Sequence, residues 1–357
     1  MTRARKRLDY CMPCSASVHL CRAGTLLFAG VLFTQGCKPI PNCRFEDGLC
    51  DTEAGIALLS TIEGPPGQFV AVGNNGSAAY SIDEGLTWTT ASTPGSENYQ
   101  GVSADNSGRW IATALNSEIL IGTNQGQNWV LSSSPITASM SDVAADTSGR
   151  WIAVGSSGAA ERVAYSTDSG DIWTQVNAGT GGGLRGLSFD GTNRFVAIGG
   201  TGVALCAYTD DGGANWTLCT ISTGVSMYDA ATDGSGNWVA VGVSDAVAYS
   251  TDNGATWTAT TSGTGASFRD VAYAGNGRWI ALGGGGIGAY TDDGGISWFP
   301  LDTGAGTNLS AIACSRKVCI AVGDGDVLVW SGDRGITWKV SSTGTGQIMN
   351  GIGVYLP

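Results

Sequence analysis

The sequence predicts an all-β fold, a seven-bladed β-propeller of four-stranded blades, on three observations. A motif of the form S/T-x-D-x-G-x-x-W recurs in phase, its tryptophans standing at 88, 129, 173, 216, 257, 298 and 338, 40 to 44 residues apart. Glycine reaches 56 of 357 residues with no period of three, which calls for many tight turns between short strands. Charged residues make up only 13%, and long runs rich in Glu, Lys and Leu are missing, which argues against helical domains.

The first element serves targeting. A basic stretch with Arg3, Arg5, Lys6 and Arg7 leads to the apolar run Thr25–Phe33, nine residues and too short for a bilayer, which needs about 20. That length suits the hydrophobic segment of an export signal. Gly36-Cys37 follows and resembles a bacterial lipoprotein cleavage site, although Thr34 stands where a Leu is usual. Residues 1–36 are therefore expected to be a signal peptide, with translation from Met1 or Met12. Cys37 is expected to carry lipid. Ordinary cleavage nearby, leaving Cys37 a thiol, is the alternative. Residues 37–53 form a Cys-containing tether, and residues 54–357 the propeller. The expected place is the cell envelope, anchored in the outer membrane or at the cell surface, or otherwise secreted.

Within the propeller each repeat reads as four short strands, as in SDVAADTSGRWIAVGSSGAAERVAYSTDSGDIWTQV. Strand a is VAAD-like, b RWIAVG-like, c RVAYS-like and d IWTQV-like, with Gly, Asn, Asp and Ser in the turns. One such unit cannot bury both of its faces, whereas radial stacking does. Aromatics opening strand b (Phe69, Trp110, Trp151, Phe195, Trp238, Trp279) should pack between blades. Two segments compete for the innermost strand of the first blade, Ala57–Glu63 and Gly351–Leu356. The second fits the repeat better, and would close the ring by pairing the end of the chain with its first blade.

The motif explains itself physically. Its carboxylate can accept hydrogen bonds from N–H groups of the c–d turn, its Gly allows positive φ, and its Trp packs on the turn. Copies run from Ser81/Asp83/Gly85/Trp88 to Ser331/Asp333/Gly335/Trp338, with one degenerate copy at Gly122/Asn124/Gly126/Trp129. On these residues the chain, over roughly 54–357, resembles the Asp-box (BNR-repeat) propellers. That superfamily includes sialidases, xyloglucanases, sortilin-type receptors and the photosystem II assembly-factor family. The resemblance implies the fold and leaves the activity open.

Ten cysteines sort by position. Cys11, Cys14 and Cys21 leave with the signal, and Cys37 takes lipid. Six remain as local pairs, Cys43–Cys50, Cys206–Cys219 and Cys314–Cys319. In the second pair, Thr209 and Trp216 face each other across the c–d hairpin, so Cys206 and Cys219, three steps further out, should face each other too. Local disulfides fit an oxidising compartment.

Chemistry finds few footholds. The only histidine is His19, in the signal, so the exported chain has no His for a nucleophile relay or a metal site. No catalytic residue, metal or cofactor is expected. A net charge of −12 disfavours nucleic acid as a partner. A glycosidase- or sialidase-like hydrolase using paired carboxylates is the alternative, since glycoside cleavage needs only acids, or a Tyr with Arg. The Arg-Ile-Pro motif of sialidases is absent. Arg109, Arg150, Arg194 and Arg278 fall in repeated a–b turns. Ten acids stay outside the repeat's logic: Glu97, Glu118, Asp142, Glu161, Asp229, Asp245, Asp270, Asp302, Asp324 and Asp326.

Binding is expected on the face opposite the Asp-boxes, where the d–a and b–c loops lie. Aligned starts of the a strands give one polar, variable position per blade: Gln100, Ser141, Arg185, Tyr228, Arg269, Ser310 and Asn350. The preceding positions (Tyr99, Met140, Leu184, Met227, Phe268, Leu309, Met349) are expected to ring the channel mouth as apolar contacts. Together they suit a protein segment or a glycan. The expected function is a non-catalytic binding or assembly module, monomeric, touching the membrane through its lipid anchor only.

Overall fold

The computed structural model describes residues 65–132, 139–157 and 160–357. Pro66–Pro357 form one compact unit. The signal, Cys37, the Cys43–Cys50 pair, the tether and the competing segment Ala57–Glu63 all lie outside the described residues.

Seven antiparallel sheets of four strands each make the unit, so the seven-bladed, all-β expectation holds. Blade 2 is typical, with strands a to d at Tyr99–Ala104, Trp110–Ala114, Ile119–Thr123 and Asn128–Leu131. The a strands of successive blades touch all the way round, including the last against the first. Ring closure follows the C-terminal option: Met349–Tyr355 pairs with Gln68–Gly73 and supplies strand a of blade 1.

Strand b is buried at every position in blades 1, 2, 4 and 5 and from Trp151 to Gly155 in blade 3, and its opening aromatics are 0–1% exposed. Each packs across a blade boundary. Phe69 of blade 1, for example, sits with Val318, Ile320 and Leu328 of blade 7. Blade 7 lacks the aromatic and places Cys319 there, paired in register with Cys314 and disulfide-bonded to it. The Cys206–Cys219 disulfide forms in the expected register, continuing Ala207↔Leu218 outward by one step.

The Asp-box turns behave as their chemistry demands. In six boxes the Ser or Thr hydroxyl donates to the Asp carboxylate at 2.7–2.8 Å and accepts from the box Gly N–H at 2.8–3.2 Å. In all seven, the Trp Nε1–H donates to that Gly's carbonyl at 2.8–3.1 Å. Burial would raise Asp83, Asp211, Asp252, Asp293 and Asp333, but hydrogen bonds from the turn outweigh it and hold them below the ordinary carboxylate value.

The box Gly has a second role that the repeat pattern hides. A Cβ on Gly85 would lie 2.0 Å from Ile320, on Gly126 2.4 Å from Val70, on Gly170 2.1 Å from Ile111 and on Gly335 2.3 Å from Ile280. In each case the neighbour is a strand-b aliphatic of the preceding blade. The box thus locks its own hairpin and seats it on the preceding sheet.

Candidate functional site

The loop-rich face is organised by a β-bulge repeated in every blade. Near the start of each a strand one extra residue interrupts the pairing with strand b. It is Ser141 between Met140 and Asp142, Arg185 between Leu184 and Gly186, and Tyr228 between Met227 and Asp229. Arg269, Ser310 and Asn350 hold the same place in their blades, and in blade 2 the interruption spans Gln100 and Gly101. The seven polar positions singled out in the sequence are therefore the bulge residues. A bulge re-aims its side chain, which explains why these positions leave the buried pattern around them.

The sequence does carry a sign of the bulge. Six of the seven b strands place a Gly opposite the residue before the bulge. A Cβ on Gly73, Gly155, Gly199, Gly242, Gly283 or Gly323 would lie 2.0–2.4 Å from the carbonyl oxygen preceding the a strand's apolar anchor. Space, not backbone conformation, makes these positions glycine. Blade 2 ends in Ala114, and there the bulge is wider.

The apolar ring expected at the channel mouth is not there. Tyr99, Met140, Leu184, Met227, Phe268, Leu309 and Met349 are each 0% exposed and belong to the clusters between blades. Alternation along a strand sends the residue before the bulge into the core. Only the bulge residue turns out.

The seven bulge residues do different things. Asn350 donates to Asn74 Oδ1 and to the Tyr99 carbonyl, both at 2.8 Å, and so pins the ring closure. Gln100 bonds weakly to the Asn98 and Tyr99 carbonyls, at 3.4 and 3.3 Å. Arg185 and Arg269 are exposed, Tyr228 half-buried between their blades. The Arg185 guanidinium lies 5.0 Å from the centre of the Tyr228 ring. Among the described residues Arg269 has no ion-pair partner. Neither arginine pairs with Asp229 or Asp270.

Inward of the bulge, the next residue of each a strand lines the central channel. Around the ring this row reads Gly101, Asp142, Gly186, Asp229, Asp270, Ala311, Gly351. The three carboxylates are enclosed by protein yet keep a narrow opening to the channel. Each reaches the next blade: Asp142 accepts from Leu187 N–H at 2.8 Å, Asp229 from Val271 N–H at 3.4 Å and Asp270 from Ile312 N–H at 2.7 Å. Burial pushes Asp142 up to about 7. Asp229 is raised well above the ordinary value by burial, then by the charge of Asp270 and a hydrogen bond shared with it. Asp270 is raised by burial against the bonds it accepts from Asp229, Ile312 and Val271. The pair therefore shares one proton between its two carboxyls and titrates as a unit.

Asp229 and Asp270 do not have the spacing of a glycosidase pair. Such a pair stands about 5 Å apart or more with sugar between, whereas Asp229 and Asp270 are bonded directly. The other unassigned acids mostly staple loops. Glu161 accepts from Gly179 and Thr180, Asp245 from Ser262 and Gly263, and Asp326 from Thr343 and Gly344. Asp302 caps Gly304, Asp324 holds Asn308 and Glu97 holds Asn116. Glu118 lies beside Glu97, raised by burial and then by that charge. The arginines of the a–b turns pair with Asp171, Asp146, Asp210 and Asp292. No group of His, Cys, Asp and Glu able to hold a metal occurs among the described residues.

A family model described as photosynthesis system II assembly factor YCF48 matches residues 102–287, more than half of the chain's 357 residues. The chain belongs to this family. No curated protein matches it. Among solved structures, YCF48 bound to D1 peptide superposes with a TM-score of 0.59 at 18% identity, covering 78% of this chain and 90% of that one. YCF48 from Cyanidioschyzon merolae gives 0.54 at 16%, covering 70% and 86%. An ancestral GH74 enzyme gives 0.54 at 16%, covering 72% of this chain and 38% of that one. At these identities the likeness shows a shared propeller fold and nothing more.

Proposed function

We propose that this chain is a non-catalytic binding or assembly module that holds a protein segment on its loop-rich face. Arg185 and Arg269 receive a carboxylate of the partner, and the Tyr228 ring packs beside it. The observation that carries this reading is the pair of exposed guanidiniums flanking Tyr228, in a chain of net charge −12 where the a–b turn arginines are all paired. Repeat structure does not require arginine there, since the equivalent residues are Gln100, Ser141, Tyr228, Ser310 and Asn350. Guanidinium groups bind carboxylates in a fork, with Tyr offering an apolar ring. The family relative whose structure holds a D1 peptide supports a protein segment over a glycan.

The module works outside the cytoplasm in this reading, tethered to the cell envelope by lipid on Cys37. The Cys206–Cys219 and Cys314–Cys319 disulfides support an oxidising compartment.

The test is an array of acidic peptides, each with a free C-terminal carboxylate or as the amide, probed with residues 66–357. The variant Arg185→Ala/Tyr228→Ala/Arg269→Ala should keep the wild-type melting temperature and lose at least roughly tenfold in affinity, the loss of one charge-assisted contact. A variant that binds every wild-type ligand equally well removes this face. Ligands found only on a parallel glycan array would turn the reading to sugars.

A further inference from the structure

The opposite face carries a feature that the repeat does not explain. The residue after the box Gly is Gln127, Asp171, Ala214 and Ala255 in blades 2 to 5, but Ile296, Ile336 and Leu86 in blades 6, 7 and 1. These three are 59%, 65% and 68% exposed. Ile82 of the same turn as Leu86 is exposed beside it. Large apolar side chains at one repeat position in three consecutive blades make an arc on the surface. Nothing in the box chemistry asks for them, because the position tolerates Gln and Asp elsewhere.

The arc coincides with two further features. The chain enters the propeller there: the Gly67 carbonyl accepts from Glu84 N–H of the first box. Blade 7, at the middle of the arc, also carries Arg334 and Lys339. Arg334 lies within the box turn and Lys339 directly follows its Trp338, so both stand at the box end of the blade. The nearby box carboxylates of Asp83, Asp293 and Asp333 accept from N–H groups of their own turns.

We propose that the Asp-box face of blades 6, 7 and 1 docks on a lipid bilayer. Leu86, Ile296 and Ile336 enter the boundary between headgroups and acyl chains, and the blade 7 cations meet lipid phosphate. Apolar knobs with flanking basic groups are what an interfacial membrane contact requires. A single acyl chain holds a protein only marginally, so a second contact with the bilayer would make the anchoring stable. Docking this way leaves Arg185, Tyr228 and Arg269 facing away from the bilayer. The proposal rests on the envelope-anchored reading for its setting, though not for its surface.

Residues 66–357 contain all seven blades and the closing strand, so they serve without the tether or any lipid. The experiment is co-sedimentation with vesicles of phosphatidylcholine containing a minor share of phosphatidylglycerol. The wild-type unit should partition onto the vesicles. Leu86→Ser/Ile296→Ser/Ile336→Ser should lose it at least tenfold with an unchanged melting temperature, and Lys339→Glu should lose it severalfold. The Arg185→Ala/Tyr228→Ala/Arg269→Ala variant should partition as wild type. No partition of the wild-type unit, equal partition of the Ser variant, or a dimer that the Ser variant abolishes would each overturn the proposal. A unit that binds vesicles while the full chain carries no acyl mass at Cys37 would refute lipidation and keep the docking face.

Discussion

Asp142 shows what one side chain contributes in this fold. Its carboxylate accepts from Val143 of its own strand and Leu187 of the next blade, at 2.8 Å each, deep in the channel wall. Burial raises it from 3.8 to about 7. A carboxyl raised on folding stabilises the protonated fold, so its contribution is complete below pH 3.8 and is lost as pH rises toward 7. That window corresponds to at most about 4 kcal/mol. Asp229, raised by the same burial and by Asp270, acts in the same direction. The box carboxyls, held low, act oppositely, and their stabilisation is lost as pH falls through their lowered values. Stability should therefore peak in mild acid. Thermal unfolding should give a higher melting temperature at pH 5 than at pH 8, and Asp142→Asn should shrink the difference. Equal slopes in the two proteins would mean that Asp142 is ionised in the fold.

At the scale of an element, the a–b pair is built around its bulge. The b-strand Gly leaves room for the carbonyl before the a strand's anchor. In blade 6 a Cβ on Gly283 would sit 2.1 Å from the Ser267 carbonyl oxygen. Backbone cannot yield as a flexible side chain can, so Gly283→Ala should destabilise by about 1–3 kcal/mol. A lower urea midpoint with unchanged slope would show it, and an unchanged midpoint would mean the bulge relaxes as it does around Ala114. This element also marks how far the sequence could be read. Strand order, box turns, both described disulfides and the ring of polar positions follow from repeats of about 41 residues, because periodicity reports what every blade must do. The bulge itself, the burial of Met140 or Phe268 beside it and the seating of Gly85 on Ile320 depend on how blades meet. Contacts between repeats leave no period of their own, although the recurring Gly of strand b was a trace of one. The Asp229–Asp270 pair was beyond reach for the same reason, since only the closed ring brings the two blades' carboxyls together.

Over the whole molecule, stability is shared among seven similar blades and concentrated where the chain closes. Repeat proteins gain mostly from nearest-neighbour interfaces, so opening one interface frees two edges at once. Here the closing interface is the one not backed by chain continuity. Asn350 bonds to Asn74 and to the Tyr99 carbonyl, Asn75 bonds to Gln347 at 2.8 Å, and Asn74 N–H donates to the Ile348 carbonyl at 2.9 Å. The Trp330 indole of blade 7 donates to the Glu84 carbonyl of blade 1 at 2.9 Å. Ser310, at the same repeat position as Asn350, makes no side-chain bond among the described residues. Truncating each to Ala therefore separates closure from loop chemistry. Asn350→Ala leaves the Asn74 side chain and the Tyr99 carbonyl without their donor and should cost about 1–3 kcal/mol. Ser310→Ala should stay within about 0.5 kcal/mol of wild type. Urea unfolding of both variants decides it, and unfolding rates sharpen the answer, because a weakened closure should open first and speed unfolding of the whole ring. If the two variants unfold alike, the asparagine bonds are incidental and the closure rests on the strand pairing of Met349–Tyr355 with Gln68–Gly73 alone.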